Sequence, residues 1–262
     1  MNAGSPNATV PPMIRFCGAS FAARSETIRC GDWEVSAGEA WFVAGGFAAG
    51  KSAFLRVVAG LDRPKSGRIE RFGDDWMNVV ESESLDQRRR IGVALFHDAG
   101  LFHRSTVLEN VRLPLAYHGG RQGEKIEERV GQLLAALELE PYAHMPALRL
   151  NAAVARRTLL ARALALGPEV LLLDDPCAGL DERERRSMIQ CIGLLHAGQL
   201  LNEGRPQTLI ITGSSPQAWR SLPRLKWALL RDGELAVART WEQLVASAPE
   251  LFHDPDLETA PD

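Results

Sequence analysis

Val43-Ala44-Gly45-Gly46-Phe47-Ala48-Ala49-Gly50-Lys51-Ser52 decides how this chain is read. Gly45, Gly50, Lys51 and Ser52 satisfy the spacing G-x-x-x-x-G-K-[ST] of a phosphate-binding loop. The flanks supply the required context. Ala40 to Ala44 reads as a buried strand before the loop, and Ala53 to Gly60 as a short helix after it, ended by glycine. In that setting the backbone N–H groups of Gly45, Gly46, Phe47, Ala48, Ala49, Gly50 and Ala53, with the helix N-terminus, would surround the β- and γ-phosphates of a nucleotide. Lys51 would add a point charge and Ser52 a hydroxyl for Mg²⁺. A glycine turn matching by chance is expected in about 1 in 100 chains of this length, and the strand and helix reduce that further.

Working outward, Val170 to Leu173 is a continuous apolar run that ends in Asp174-Asp175-Pro176. Such a run reads as a fully buried strand, with its acidic pair at the carboxyl end, where open α/β sheets bind ligands. Asp174 is the candidate to hold the metal and Asp175 the candidate to orient an attacking water. Loop and carboxylate together indicate Mg-ATP or Mg-GTP.

The remaining pattern predicts strands at Ile14 to Cys17, Thr27 to Val35, Arg68 to Phe72, Ile91 to Phe96 and Leu209 to Thr212. Lys226 to Arg231 and Leu235 to Ala238 flank Asp232-Gly233, a strong hairpin signal. Between about Val107 and Ala165 the period changes to helical. Ile126, Val130, Leu133, Leu134 and Leu137 line one face of a helix from Glu124 to Leu139 and read as core.

The chain has 262 residues, 45% of them hydrophobic, enough for a substantial core. A net charge of −3 gives no electrostatic case for nucleic acid as a partner. Cys17, Cys30, Cys177 and Cys191 lack C-x-x-C spacing and read as free thiols of a reducing compartment. Met1 to Pro12 reads as a loose tail without a secretory signal, and no apolar run is long enough to span a membrane. Asn7-Ala8-Thr9 fits a glycosylation sequon, but a chain lacking that signal would not meet the machinery. The histidines show no metal-ligand spacing, and Glu182-Arg183-Glu184-Arg185-Arg186 reads as a solvated helix face.

Phe96-His97-Asp98, Thr106 to Val111, Leu150 to Leu166, Leu171 to Asp181 and Thr208 to Thr212, in that order behind the phosphate loop, resemble the ATP-binding subunit of ABC transporters. The stretch Ala155 to Leu166, with Leu95-Phe96-x-x-x-x-Leu101-Phe102 and Asn110 to Leu115, looks like the branch serving phospholipid transport with MCE-type (Mla-like) partners. The resemblance implies an α/β phosphate-loop NTPase core, a mixed sheet flanked by helices with an antiparallel β subdomain, plus a helical lobe. On that reading residues 1–12 are a tail and 13–245 one nucleotide-binding domain, with core 13–96 and 168–245 and a lobe at about 97–167. Residues 246–262 are then an acidic tail. It also implies ATP and Mg²⁺ as cofactors, a membrane-spanning permease subunit as partner, and a homodimer or a heterodimer with another ATP-binding subunit. The place of work would be cytoplasmic, on the inner face of the membrane. Leu101, Phe102, Val107, Leu113 and Leu115 become candidates for the groove that receives a permease helix, with lobe core as the alternative for each.

The chain departs from the family's pattern at several positions. The signature, usually Leu-Ser-Gly-Gly-Gln, falls on Leu150-Asn151-Ala152-Ala153-Val154, where alanine methyls hold back a helix start that Asn151 can still cap. The catalytic glutamate falls on the shorter Asp175, the γ-phosphate-sensing histidine on Gly213, and the metal-sensing glutamine on His97. Ala48 replaces a central loop glycine, and Phe21 is the nearest aromatic for stacking on adenine, although an ungapped match gives Ala22 or Ala23. The dimer-contacting aspartate is present as Asp181. Three readings stay open: an ATP-binding subunit with weak or lost hydrolysis, a fully active ATPase subunit, and a phosphate-loop protein unrelated to transport.

Overall fold

The computed structural model describes residues 11–23, 26–75, 78, 81–96, 100–118, 123–201 and 204–252. His97 lies outside the described residues, as do the sequon and the last ten residues of the expected acidic tail.

One mixed sheet organises the chain. Strand β4 (Ala40–Ala44) lies between β10 (Leu225–Arg231) and β9 (Thr208–Gly213), followed by β8 (Val170–Asp174) and β7 (Ile91–Leu95), all parallel to it. These inner strands are apolar throughout because both faces are covered: β4, β8 and β9 are buried along their whole length. Side chains alternate between two cores. Ala40, Phe42 and Ala44 join the cluster that runs into the helices, while Trp41 and Val43 meet helix α1 (Lys51–Val58) through Phe54, Leu55, Val57 and Val58.

The other end of the sheet is antiparallel. Strand β1 (Ile14–Ala23) pairs with β2 (Glu26–Cys30), β3 (Trp33–Val35) and β5 (Ser66–Arg71), and β5 carries the short edge strand β6 (Asp74–Asp75). The single strand expected over Thr27 to Val35 is therefore two. Both keep the same register on β1, with Ser20 opposite Arg29 and Ile14 opposite Val35. The break at Gly31-Asp32 faces the bulge at Gly18, which has a positive φ of 54° and shifts the β1–β5 ladder. Strand β11 (Glu234–Ala238) joins the two halves, antiparallel to β10 and parallel to β2. Its hairpin turns at Asp232-Gly233, where both φ values are positive, as the sequence signal demands.

Helix α2 (Glu81–Arg89) precedes β7, and the helical segment comprises α3 (Val107–Tyr117), α4 (Gly123–Ala136) and α5 (Ala152–Leu164). The α3 start is fixed by a capping box between Thr106 and Glu109. The α4 stripe Ile126, Val130, Leu133 and Leu134 is buried together with Leu137, as its spacing predicts. Of the expected groove residues, Leu101, Val107 and Leu115 are buried in the core, whereas Phe102 and Leu113 are exposed. On α3, packing takes the stripe of Val107, Val111 and Leu115 inward and leaves Leu113 outside.

Helix α6 (Glu182–His196) leads back to β9, and the chain continues past the boundary expected at 245. Helix α7 (Trp241–Ser247) buries Leu244, and Ala248 is buried just beyond it. Trp241 packs edgewise on Trp227 at 4.9 Å and on Phe252 at 5.1 Å between ring centroids. Aromatic burial thus holds the chain to Phe252, a packing that acidic composition alone conceals. Among the described residues, no helix is long and apolar enough to cross a membrane.

Candidate nucleotide site

The Gly45–Ser52 loop runs from the carboxyl end of β4 to the first turn of α1, and the carboxyl ends of β8 and β9 lie beside it. Two backbone hydrogen bonds fix this edge: Gly45 N–H donates to the Gly213 carbonyl at 3.2 Å and Asp175 N–H to the Thr212 carbonyl at 2.9 Å. A cleft of about 370 Å³ results, lined by Phe47 to Ala53, Asp174, Asp175, Ala23 and Ser214.

Gly50 can only be glycine. Its φ is 90°, and a Cβ there would stand 2.3 Å from Ile28 Cδ1 and 2.9 Å from Ala23 Cβ. Ala48 adopts a φ of 63° without glycine's freedom, so the loop keeps its left-handed turn despite the methyl. The ring of Phe47 is almost wholly in solvent, 94% exposed.

The Lys51 ammonium folds back over the loop and donates to the carbonyls of Gly45 and Gly46, both at 2.7 Å. Burial pulls its pKa below the ordinary lysine value, while Asp175 and Asp174 push it back up. Ser52 Oγ donates to Asp174 Oδ2 at 2.5 Å, and Thr212 Oγ1 donates to Asp174 Oδ1 at 2.7 Å. Asp174 is nearly fully buried, so these two hydroxyls hold each oxygen of its carboxylate in place. A hydroxyl beside an oriented carboxylate is a hard, all-oxygen donor set. It suits Mg²⁺, which commonly takes one or two protein oxygens and completes its shell with phosphate and water.

Sequence reasoning missed Thr212 as a site residue, although its signal was present: it is the polar residue closing the apolar run of β9. Arg156 was missed as well. Its guanidinium donates to the Asp175 carbonyl at 3.1 Å and to the Ala178 carbonyl, tying α5 to the loop after β8. Burial lowers its pKa, with Asp175 and Cys177 opposing. Only the fold brings α5 to that loop.

Phe21 is not the base-stacking ring. It is fully buried beside Phe54, at 6.3 Å between centroids, because the alternation of β1 turns it into the core. From β1, Ala23 reaches the cleft instead. The residues expected at the signature position stand elsewhere. Asn151 Oδ1 accepts from Val154 N–H at 2.9 Å and caps α5, leaving Ala152 exposed and Ala153 half-buried. Asp181 caps α6 and forms a capping box with Glu184. Neither segment lines this cleft.

Cys177 follows the acidic pair. Burial pushes its thiol up to about 12, Asp175 adding to the rise and Arg156 and Arg185 opposing it. The thiol is therefore neutral at pH 8, and iodoacetamide is expected to label it ~1000-fold more slowly than a free cysteine. Labelling at the free-cysteine rate, followed by mass spectrometry, would show an accessible thiolate that this packing does not allow.

Comparison with known proteins agrees with the geometry. Residues 30–178 match the family model described as ABC transporter. The chain is 37% identical over 158 residues to "Methionine import ATP-binding protein MetN 1" of Rhodococcus jostii, covering 60% of this chain and 46% of that protein. It is 30% identical over 227 residues to "Sulfate/thiosulfate import ATP-binding protein CysA" of Xylella fastidiosa, covering 86% of this chain and 60% of the relative. It thus spans about half the length of such curated relatives. The solved dimeric structure of MJ0796, a bacterial ABC transporter cassette, superposes with a TM-score of 0.72 at 26% identity, covering 87% of this chain and 100% of the cassette. A post-hydrolysis dimer of MJ0796 bound to ADP and Pi gives 0.71 at 25% identity, with the same coverage of both chains. The phospholipid branch suggested by Ala155 to Leu166 is not the branch for which these relatives are named. The matched loop, the Asp174 carboxylate and the sheet that joins them make this chain a member of the ABC transporter family.

Proposed function

We propose that this chain is the ATP-binding subunit of a membrane transporter, holding Mg-ATP at the Gly45–Ser52 loop and passing its nucleotide state to a permease partner. The observation that carries this reading is Asp174, clamped between Ser52 and Thr212 directly beside the phosphate loop. When ATP is bound, Mg²⁺ would be held by Ser52 and Asp174, and Lys51 would exchange its carbonyl partners for phosphate oxygens. The metal supplies neutralisation of charge on the phosphates. The relatives are named for import, which favours uptake over export.

Hydrolysis is weak in this reading. Asp175 is one methylene shorter than glutamate, and a displacement of ~1 Å at such a position can cost ~100-fold in rate. Gly213 offers no side chain to the γ-phosphate. A working ATPase, the competing reading, requires Asp175 to position water from its strained backbone, at a φ of 49°.

The partner surface fits the same reading. A groove of about 350 Å³ between α2, β7, α3 and α5, which none of the groove residues expected from the sequence lines, has apolar walls that include Leu61, Leu85, Pro114 and Leu166 and is also lined by Arg88, Arg89, His118 and Arg162. Leu61 and Leu85 are both close to half exposed. Such a surface suits a helix of a membrane subunit, and the work would be done at the inner face of the membrane.

ATP turnover by the purified chain, with Lys51→Ala as background, separates the readings. Weak hydrolysis predicts turnover far below ~1 s⁻¹, the low end of ordinary enzyme rates. A rate at or above that value, absent in Lys51→Ala, sinks the weak-hydrolysis reading in favour of the active one. Affinity capture from membranes that yields no membrane protein would remove the transport assignment.

A further inference from the structure

Gly213 and Phe42 contend for one volume. They sit on neighbouring parallel strands, Phe42 opposite Ile211 and Ala44 opposite Gly213. A Cβ on Gly213 would stand 2.8 Å from Phe42 Cζ and 3.3 Å from Phe42 Cε2, closer than packed carbons approach. The backbone is not the obstacle, because Gly213 has no positive φ. The ring cannot swing aside either. Phe42 is fully buried on a central strand, and its ring packs against Trp219 at 5.9 Å and Trp227 at 5.8 Å, both themselves buried. The same hypothetical Cβ would lie 3.7 Å from Asp175 Oδ1, so the volume that Phe42 denies adjoins the carboxylate at the mouth of the nucleotide cleft.

We infer that Phe42 is a positioning residue for the nucleotide site: its ring keeps position 213 free of any side chain, so that β9 presents only backbone to Asp175 and the γ-phosphate. This rests on the nucleotide-binding reading above and deepens it. A histidine cannot be restored at 213 by a single exchange, and weak hydrolysis is built into the core packing beneath the site as well as into the site itself. The inserted imidazole needs the ring removed first.

The test is a double-mutant cycle on the full chain, with Gly213→His made in the native and in the Phe42→Val backgrounds. Overpacking predicts that Gly213→His lowers the thermal unfolding midpoint by roughly 5 °C or more beside Phe42. In the Phe42→Val background, where the ring atoms are gone, it is expected to leave the midpoint unchanged or raise it. A second readout is turnover per nucleotide-binding site with Asp175→Glu added to both. The protein that also carries Phe42→Val should hydrolyse ATP at least ~10-fold faster than the one that keeps the ring, since a well-placed polar group contributes ~100-fold or more. An equal loss of midpoint in the two backgrounds, or equal turnover by the two repaired proteins, overturns the inference. Mg-ATP stabilisation of the unmodified chain is measured alongside. Its absence would defeat the ATP-binding reading while the midpoints still report whether Phe42 and residue 213 exclude one another.

Discussion

Mg-ATP at a hundred times its dissociation constant is expected to raise the unfolding free energy of this protein by about 2.7 kcal/mol, and Lys51→Ala is expected to remove nearly all of that gain. The ammonium already sits in the loop, donating to the Gly45 and Gly46 carbonyls, and Lys51 is the cationic residue among those that line the cleft. Charge-assisted hydrogen bonds to phosphate are each worth about 1.5–3 kcal/mol, so losing them weakens binding by ~100-fold. At the same ATP concentration the remaining stabilisation is then about 0.4 kcal/mol. Thermal or denaturant unfolding with and without Mg-ATP reads both values. Equal stabilisation of the two proteins would mean that the nucleotide is held somewhere other than this loop.

Arg71→Ala is the substitution expected to damage the fold most, by about 3–5 kcal/mol, or a fall in unfolding midpoint of roughly 10 °C. Arg71 on β5 is fully buried, and its guanidinium donates to the Val58 carbonyl at 2.6 Å and to the Val57 carbonyl, capping the carboxyl end of α1. Burial pulls its pKa down to about 9, Arg88 adding to the fall and Asp75 opposing it, so the side chain is still a cation at pH 7. A cation there also meets the negative end of the helix dipole. Arg71→Met fills most of the volume without the charge and should lose distinctly less than Arg71→Ala. Mg-ATP should still stabilise the Arg71→Met protein, because Arg71 holds the far end of α1 and not the end that carries Lys51 and Ser52. Losses below 1 kcal/mol for Arg71→Ala, from denaturant titration, would show that the α1 carbonyls do not need this partner.

Lys51 and Arg71 differ in how local the pattern that positions them is. Lys51 belongs to a contiguous loop whose glycine spacing, preceding strand and following helix are local properties of the chain, and the structure places them in that order. The Asp232-Gly233 hairpin, the α4 stripe and the run Val170–Leu173 were legible for the same reason: each is a pattern with its own period. Arg71 lies in the strand predicted at Arg68 to Phe72, whose pattern does not mark it as buried. Its guanidinium is buried against the carboxyl end of α1, a long-range contact that no local spacing records. Phe21 failed in the opposite direction, since aromaticity suggested a ligand contact while the alternation of β1 sent the ring into the core.

The candidate site divides along the same line. By itself the sequence determined the phosphate loop and the acidic end of β8, because motif chemistry is written in consecutive residues. Only the tertiary structure decided that Thr212 shares Asp174 with Ser52, that Arg156 ties α5 to the loop after Asp175, and that Phe42 fills the space beside Gly213. These contacts join residues far apart in the chain, and close packing across the sheet, not spacing along it, sets which atoms compete for the same volume.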